Sequence, residues 1–530
     1  MNKFFLILFL LGARSLPVHT QGPDPVHRLK EADYNDKVHA VWLAQIAGTL
    51  LAWPYEHNVS SAEWIDQYPA KWAHAPVDDD WYYEMIAINA FEKYGPQLTV
   101  AQLGIEWQKV NAGTWGSSEQ ARLLMAKGVS AAQAGHPRYN RLWYSIGPQF
   151  SADVYGALAP GMPNVAGKIA RELCHINGYA EGADGGVFVA GMISLAFVRQ
   201  DPKLVVKQAA SLIHPASPYR QCIDLVISMA EKGSSFTAVV DAVEDKWHFE
   251  YPATNNAVAN GGIVAASVWF GEGDFLKTVN LAAAAADFTD ADCNAANAAA
   301  VIGAMHGTRS VPVHLVAALQ DRIKGDSMGP LKLTPAVDMR ISDLSKRTAA
   351  AGKKILQHHQ ARFKNGYIEI PAAPVVTQAP ELFQLSGLMK FWNPDWQLHR
   401  AGFGGAGGGM WGIRGITYLD SNVLITYPRD EVRGLFLRRT MRVDKDKHVL
   451  SFSAGSDARR AWNLSVYAGN QRLMNKRITG TDSAFAWHHI RVDLSAYAGK
   501  EVVLRLFQRV LLPGREAGNA YWKDVVLSER

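Results

Sequence analysis

Residues Asp287–Gly307 read DFTDADCNAANAAAVIGAMHG, and their reading decides the helical part of the fold. Asp287, Asp290 and Asp292 stand before a run in which Ala295, Ala296, Ala298, Ala299, Ala300, Gly303 and Gly307 leave almost no side-chain bulk. Such a run predicts a helix that lets another element approach its backbone. A second acidic cluster, VDDDWYYE, puts Asp78, Asp79 and Asp80 ahead of another apolar helical run. One Asp suffices to cap a helix and face its positive end, at about 0.5–1 kcal/mol. Further adjacent carboxylates add repulsion rather than capping. Hard cations change the sign of that repulsion, because Mg²⁺ and Ca²⁺ take oxygen ligands. Two carboxylate-rich helix N-termini meeting in a bundle core therefore predict a site for one or two ions, with plain capping as the competing account.

Outward from these clusters, residues from about Asp33 to Gln360 are rich in Ala, with apolar residues at helical spacing. WYYEMIAINAFEKYG (Trp81–Gly95), NVAGKIARELCHI (Asn164–Ile176) and FLKTVNLAAAAADF (Phe275–Phe288) recur at three and four residues and end in glycine or loop signals. Strand-like alternation is nearly absent, so residues 33–362 are expected to form an all-α domain. Beyond Phe363 the period changes to two: IEIPAAPVV, GITYLDSNVLITYP, HVLSFSAG, AWNLSVYAG, HHIRVDLSAYAG and EVVLRLFQRV are short alternating segments between turn residues. The expectation is a multidomain chain: a Gly-rich linker with short strands over 363–430 and an all-β jelly-roll sandwich over 431–530. Within the linker, Gly402, Gly404 and Gly407 satisfy GxGxxG, with Asp420 beyond them. A dinucleotide fingerprint needs a helix after the glycines. GITYLDSNVLITYP follows instead and reads as strand or hairpin, so a flexible turn accounts better for this stretch.

Composition excludes several classes. The chain has 530 residues, 48% hydrophobic, with 16 Trp, 20 Phe and 18 Tyr, enough to bury a large core rather than stay disordered. Its formal charge of +5 is a small difference between 54 basic and 49 acidic residues, and no run of five Lys/Arg occurs, so no nucleic-acid partner is expected. Three cysteines (Cys174, Cys222, Cys293) cannot build a disulfide scaffold or a cysteine zinc site. Lys3 followed by FFLILFLLGA is too short to span a bilayer, which takes roughly 20 residues, but suits a signal-peptide core. The expectation is a signal peptide over 1–22 and a secreted or periplasmic protein with no membrane span, a buried N-terminal helix being the alternative.

The acidic motifs resemble those of the ADP-ribosylglycohydrolase family. Its members carry an early glycine-containing helix ending in Glu, then a T-D-D-T-like motif, and later D-T-D-[CT]-N-A-A leading into G-A-x-x-G. The counterparts here are VHAVWLAQIAGTLLAWPYE (Val38–Glu56), Val77–Asp80 and Asp290–Ala296, in that order within residues 33–350. The resemblance implies an all-α fold with a dinuclear Mg²⁺ centre that holds a ribose-like sugar by its vicinal hydroxyls while the C1″ glycosidic bond is cleaved. By position it implies Asp78, Asp79, Asp80, Asp290, Asp292 and Cys293 as metal residues, Cys293 standing where many members have Thr. Glu56 takes the role of general acid/base, with Asp79 and Asp290 beside it as catalytic residues. A transition state with oxocarbenium character needs such a carboxylate. Gln149 and Asp153, four apart and so on one helix face, are candidates for substrate contact, together with His175 and Asn256. For His175 the competing account is a core histidine, and for Cys293 a small packing residue. The chain departs from the pattern in lacking both Thr residues of T-D-D-T and in reading D-A-D for D-T-D. Which two of Asp78–Asp80 match the family's pair stays open.

The C-terminal segments are similar to galactose-binding-like jelly-roll modules, on the phrase W-x-x-I-x-V-D-L-S-x-Y-A-G-K (Trp487–Lys500). Trp462, Trp487 and Trp522 are either core or platforms for sugar rings. The functional expectation is a secreted Mg²⁺-dependent glycoside hydrolase acting on a small-molecule or glycan substrate. A non-catalytic glycan-binding protein with a degenerate helical domain is the alternative.

Overall fold

The computed structural model describes residues 26–248, 255–285, 289–382, 385–401, 417–428, 432–514 and 516–529. Residues 1–22, expected as a signal peptide, Asp287 and the Gly402–Gly409 run lie outside them.

At the centre of the helical domain, the Glu31–Ala52 and Ala291–His306 helices run antiparallel in close contact. The small residues read in the sequence make this possible. A Cβ on Gly48 would stand 2.7 Å from the Ala295 carbonyl oxygen, and one on Gly303 2.6 Å from that of Ala40. Neither position tolerates a side chain without the helices parting. Around this pair, every residue of Glu181–Ala196 is buried, as is almost all of Ala257–Gly271. A helix apolar on all sides belongs in the middle of a bundle, which explains why these segments show little amphipathic contrast. The Trp81–Gly95 pattern becomes the Asp79–Tyr94 helix, closed by Gly95 at φ 81°.

One hairpin lies inside the stretch expected as all-α, and the strand read in IEIPAAPVV finds partners that the sequence did not reveal. Arg322–Met328 and Leu331–Arg340 form a hairpin, and Ile323 bridges Ala75 just ahead of the acidic helix. Val26–Lys30 pairs with Tyr367–Pro371, which pairs in turn with Arg362–Lys364. This small sheet ties the start of the helical domain to its end and carries Ile368 and Ile370 into the helical core. It therefore crosses the boundary expected at 362/363. The following chain stays docked on the same domain: Val376 N donates to Asn164, and Gln378 N to the Leu212 carbonyl.

The rest is a two-sheet β-sandwich. One sheet runs Ala486–Asp493, Val449–Ser456, Ala520–Ser528, Val423–Thr426, Tyr418–Asp420. The other runs Gln471–Thr479, Arg460–Ala468, Glu501–Arg509, Leu435–Arg442, Gln397–His399. Strands 397–399, 418–420 and 423–426 come from the stretch expected as linker. Trp462 and Trp522 are fully buried between the sheets with ring centres 4.9 Å apart. Their indole N–H groups donate to the Gly455 carbonyl and the Thr426 hydroxyl, so both are core. Trp487 is half-buried on the outer face. Tyr418 and Ile425 join the helical-domain core, which places this sheet against the bundle.

Candidate active site

Three chain segments bring carboxylates together. The Glu31–Ala52 helix ends in a Trp53–Tyr55 turn that delivers Glu56. His57 N then donates to the Thr289 carbonyl at 2.8 Å, fixing this corner beside Asp290. Asp78 caps the Asp79–Tyr94 helix by accepting from Asp80 N, so the capping account holds for Asp78. Asp290 sits at the N-cap of Ala291–His306 but makes no side-chain cap bond. One of its oxygens accepts instead from the Asn255 amide at 2.5 Å.

Side-chain atoms of Glu56, Asp290 and Asp292 lie within 4.8 Å of one another, as do those of Asp80, Asp292 and Cys293. Asp292 belongs to both groups, one at the mouth and one beneath it. Asp80 Oδ1, Asp290 Oδ1 and Asp292 Oδ1 are buried without a hydrogen-bond partner. Burial, then neighbouring carboxylates, push Asp79, Asp80 and Asp292 well above the usual carboxylate range. Asp78 rises to about 6, through burial offset in part by hydrogen bonds from Asp80. Glu56 is pushed up to about 8 by partial burial and by Asp290 and Asp78. About 40% of its side chain reaches solvent, and the two flanking carboxylates alone push it upward. Unpartnered, mutually repelling oxygens are a poor arrangement for a metal-free chain and a good one for hard cations. The donor set fits Mg²⁺. Cys293 fits less well: burial and the surrounding carboxylates push its thiol well up, leaving it protonated, and sulfur suits softer metals.

Glu56, Asp78, Asp79, Asp290, Asp292 and Cys293 line a cavity of about 300 Å³. Trp115, Arg141, Leu142 and Phe150 line it too, with the Gly116–Ser118 turn that opens the Gly116–Ala126 helix. Asp80 lies below the cavity, fully buried, near the Thr49 hydroxyl.

None of the four residues expected to touch substrate lines the cavity. Gln149 and Asp153 do not share a helix, because Gly147–Phe150 and Asp153–Leu158 are separate turns. Gln149 accepts from the Tyr219 hydroxyl, and Asp153 from the Asn297 amide behind the carboxylates. Asn256 caps the Ala257–Gly271 helix, while its neighbour Asn255 reaches the cavity. His175 pairs with Glu381 at 2.9 Å, holding the docked segment after the small sheet. The sequence reading missed Asn255, Trp115, Arg141 and Ser117–Ser118. Only WGSSE, small residues opening a helix, offered a signal.

The family model described as ADP-ribosylglycohydrolase matches residues 30–349. Curated proteins give no match. Among solved structures, a chain described as "ADP-ribosylglycohydrolase-related protein complex" is 13% identical with a TM-score of 0.41, over 61% of this chain and 99% of that one. Another, described as "CBM4 structure and function", is 17% identical with a TM-score of 0.19, over 26% of this chain and 89% of that one. Superpositions this loose add nothing to the family match.

Proposed function

Because the chain belongs to the ADP-ribosylglycohydrolase family, we propose that it is an exported, Mg²⁺-dependent glycoside hydrolase. Its substrate would be a ribosyl or other furanosyl or glycan compound, cleaved at C1 while held by its vicinal hydroxyls. The observation that carries this reading is the meeting of Glu56, Asp80, Asp290 and Asp292 from three segments, with buried oxygens left unpartnered. The two groups suit two ions: Asp80 and Asp292 on the inner side, Asp290 and Asp292 on the outer, with Asp78 and Asp79 adjacent and Glu56 beside them as the proton carrier. Bound Mg²⁺ would neutralise these carboxylates and polarise sugar hydroxyls.

The chain's own groups do the rest. Asn255 holds the Asp290 carboxylate in place through one oxygen. Glu56 stands at the mouth, where a leaving-group oxygen would depart, and is the general acid/base of this reading; burial and the neighbouring Asp290 and Asp78 raise its carboxyl. Phe150, Leu142 and Trp115 supply apolar lining. The start of the Gly116–Ala126 helix, which no side chain caps, also lines the cavity and leaves backbone N–H groups for polar substrate atoms. Export rests on the apolar run after Lys3. It favours an extracellular furanoside or nucleoside-type compound over ADP-ribosyl protein, since the fold alone does not choose a substrate.

The test is isothermal titration of Mg²⁺ into the mature protein and into the Asp290→Ala/Asp292→Ala variant, followed by p-nitrophenyl furanosides and ADP-ribose as substrates. Saturable binding lost in the variant supports the reading. No binding to the unmutated, folded protein removes it and leaves the glycan-binding alternative.

A further inference from the structure

One rung of the sandwich sheet that faces the helical domain is aromatic along most of its length. The strand registers align Tyr418 with Ile425, Ile425 with Tyr521, Tyr521 with Gly455, and Gly455 with Trp487. Neighbouring strands lie about 4.8 Å apart, so this row spans about 19 Å. At one end Tyr418 is buried against the helical domain and faces Arg141, a wall residue of the cavity. Beyond Ile425 the row emerges. Tyr521 is partly exposed and donates its hydroxyl to Asp457 at 2.7 Å. Phe485 packs edge-on against both Tyr521 and Trp487, with ring centres 4.9 and 5.1 Å away. Lys523 holds its ammonium 4.4 Å from the Trp487 ring centre.

Gly455 is the one position of the row without a side chain, and the space is used. A Cβ there would collide with the Phe485 ring and stand 3.1 Å from Trp487. The cluster is therefore seated over bare backbone rather than left over at an edge. Core aromatics of a sandwich point between the sheets, as Trp462 and Trp522 do, whereas these point outward from a row that begins at the cavity wall.

We propose that this row is a distal binding site for a carbohydrate chain whose terminal glycosyl residue occupies the cavity, so that the substrate is an oligomeric or polymeric glycan. The proposal rests on the glycosidase reading of the cavity. Sugar rings offer an apolar C–H face to aromatic rings and a rim of hydroxyls to polar groups. The cluster presents both, with Asp457, Lys523 and the Ser453–His489 pair flanking the rings on the same face. Tyr418 and Ile425 are buried between the cavity wall at Arg141 and the exposed rings, so an occupant of both places crosses this covered stretch and is several sugars long.

The experiment is affinity electrophoresis of the full chain through gels containing soluble linear arabinan, arabinoxylan or mixed-linkage glucan. We expect at least one polymer to retard the protein. Trp487→Ala should weaken that retardation about tenfold, the scale of one aromatic platform. Gly455→Leu, which displaces the rings without deleting them, should do the same. The Asp290→Ala/Asp292→Ala variant should still be retarded while losing hydrolysis of p-nitrophenyl furanosides, which separates failure of this site from failure of the cavity reading. Retardation by none of the polymers, or retardation unchanged in Trp487→Ala and Gly455→Leu, overturns the proposal.

Discussion

Adding one methyl group at Gly48 should damage the metal site from a distance, whereas the same methyl at Gly303 should not. Both glycines sit in the contact between the Glu31–Ala52 and Ala291–His306 helices, where an added Cβ meets a backbone carbonyl. Restoring an ordinary 3.4 Å contact requires the helices to part by about 0.7 Å at Gly48 and about 0.8 Å at Gly303. Because the obstacle is helix backbone, it cannot rotate away. Overpacking of this kind costs about 1–3 kcal/mol, offset by about 1 kcal/mol of helix propensity gained over glycine. Both Gly48→Ala and Gly303→Ala should thus lower the melting temperature by a few degrees, at about 2–4 °C per kcal/mol. The two differ in where the strain falls. Gly48 opposes Ala295, one turn from Asp292, whereas Gly303 lies about 12 Å further along the same helix. Metal ligands are held to about 0.2 Å, so Gly48→Ala should weaken Mg²⁺ binding about tenfold or more and Gly303→Ala far less. Differential scanning calorimetry and isothermal titration on both variants decide it. Equal Mg²⁺ affinities, or a Gly48→Ala protein more stable than its parent, would refute the claim that this contact sets the ligand geometry.

Four further outcomes follow from the same structure. Glu56 and Asp78 are raised above their usual values of 4.5 and 3.8, to about 8 and about 6. The metal-free fold therefore holds more protons than the unfolded chain, so its stability should fall as pH rises from about 5 to 8. Mg²⁺ affinity should rise over the same window with proton release, and melting curves with EDTA and with Mg²⁺ that share one slope would contradict this. Arg171 pairs with buried Asp184 and with Glu381. Arg171→Leu should destabilise by about 3–5 kcal/mol in urea unfolding, because it strands a buried charge. His175→Ala should leave Mg²⁺ titration unchanged, a result at odds only with a role for His175 at the site. Trp522→Ala should cost the sandwich about 3–5 kcal/mol, while Trp487→Ala leaves its melting nearly unmoved; equal losses would mean that Trp487 is core after all.

What could be read locally was read well. The small-residue run after Asp292 announced a tightly packed helix, and paired acidic clusters at helix starts announced a metal-type site, because both signals lie within a few adjacent residues. Period-two segments placed the sandwich for the same reason. Signals spread over long separations were lost. Val26–Lys30 finds its partner some 340 residues later, so although IEIPAAPVV reads locally as a strand, the pairing that closes the helical domain has no local signature. The substrate candidates failed similarly. Gln149 and Asp153 have helical spacing, but the chain turns between them and aims both at packing partners instead of the cavity.

By itself, the sequence determined which residues carry charge into the core, where helices give way to strands, and which family supplies the motifs. Only the tertiary structure decided that Asp290 gives up its capping role and is held by Asn255, that Asp292 serves two groups at once, and that Arg141 joins the cavity to an aromatic row on the other domain. Those are consequences of distance in space, and distance in space depends on packing that no single segment contains.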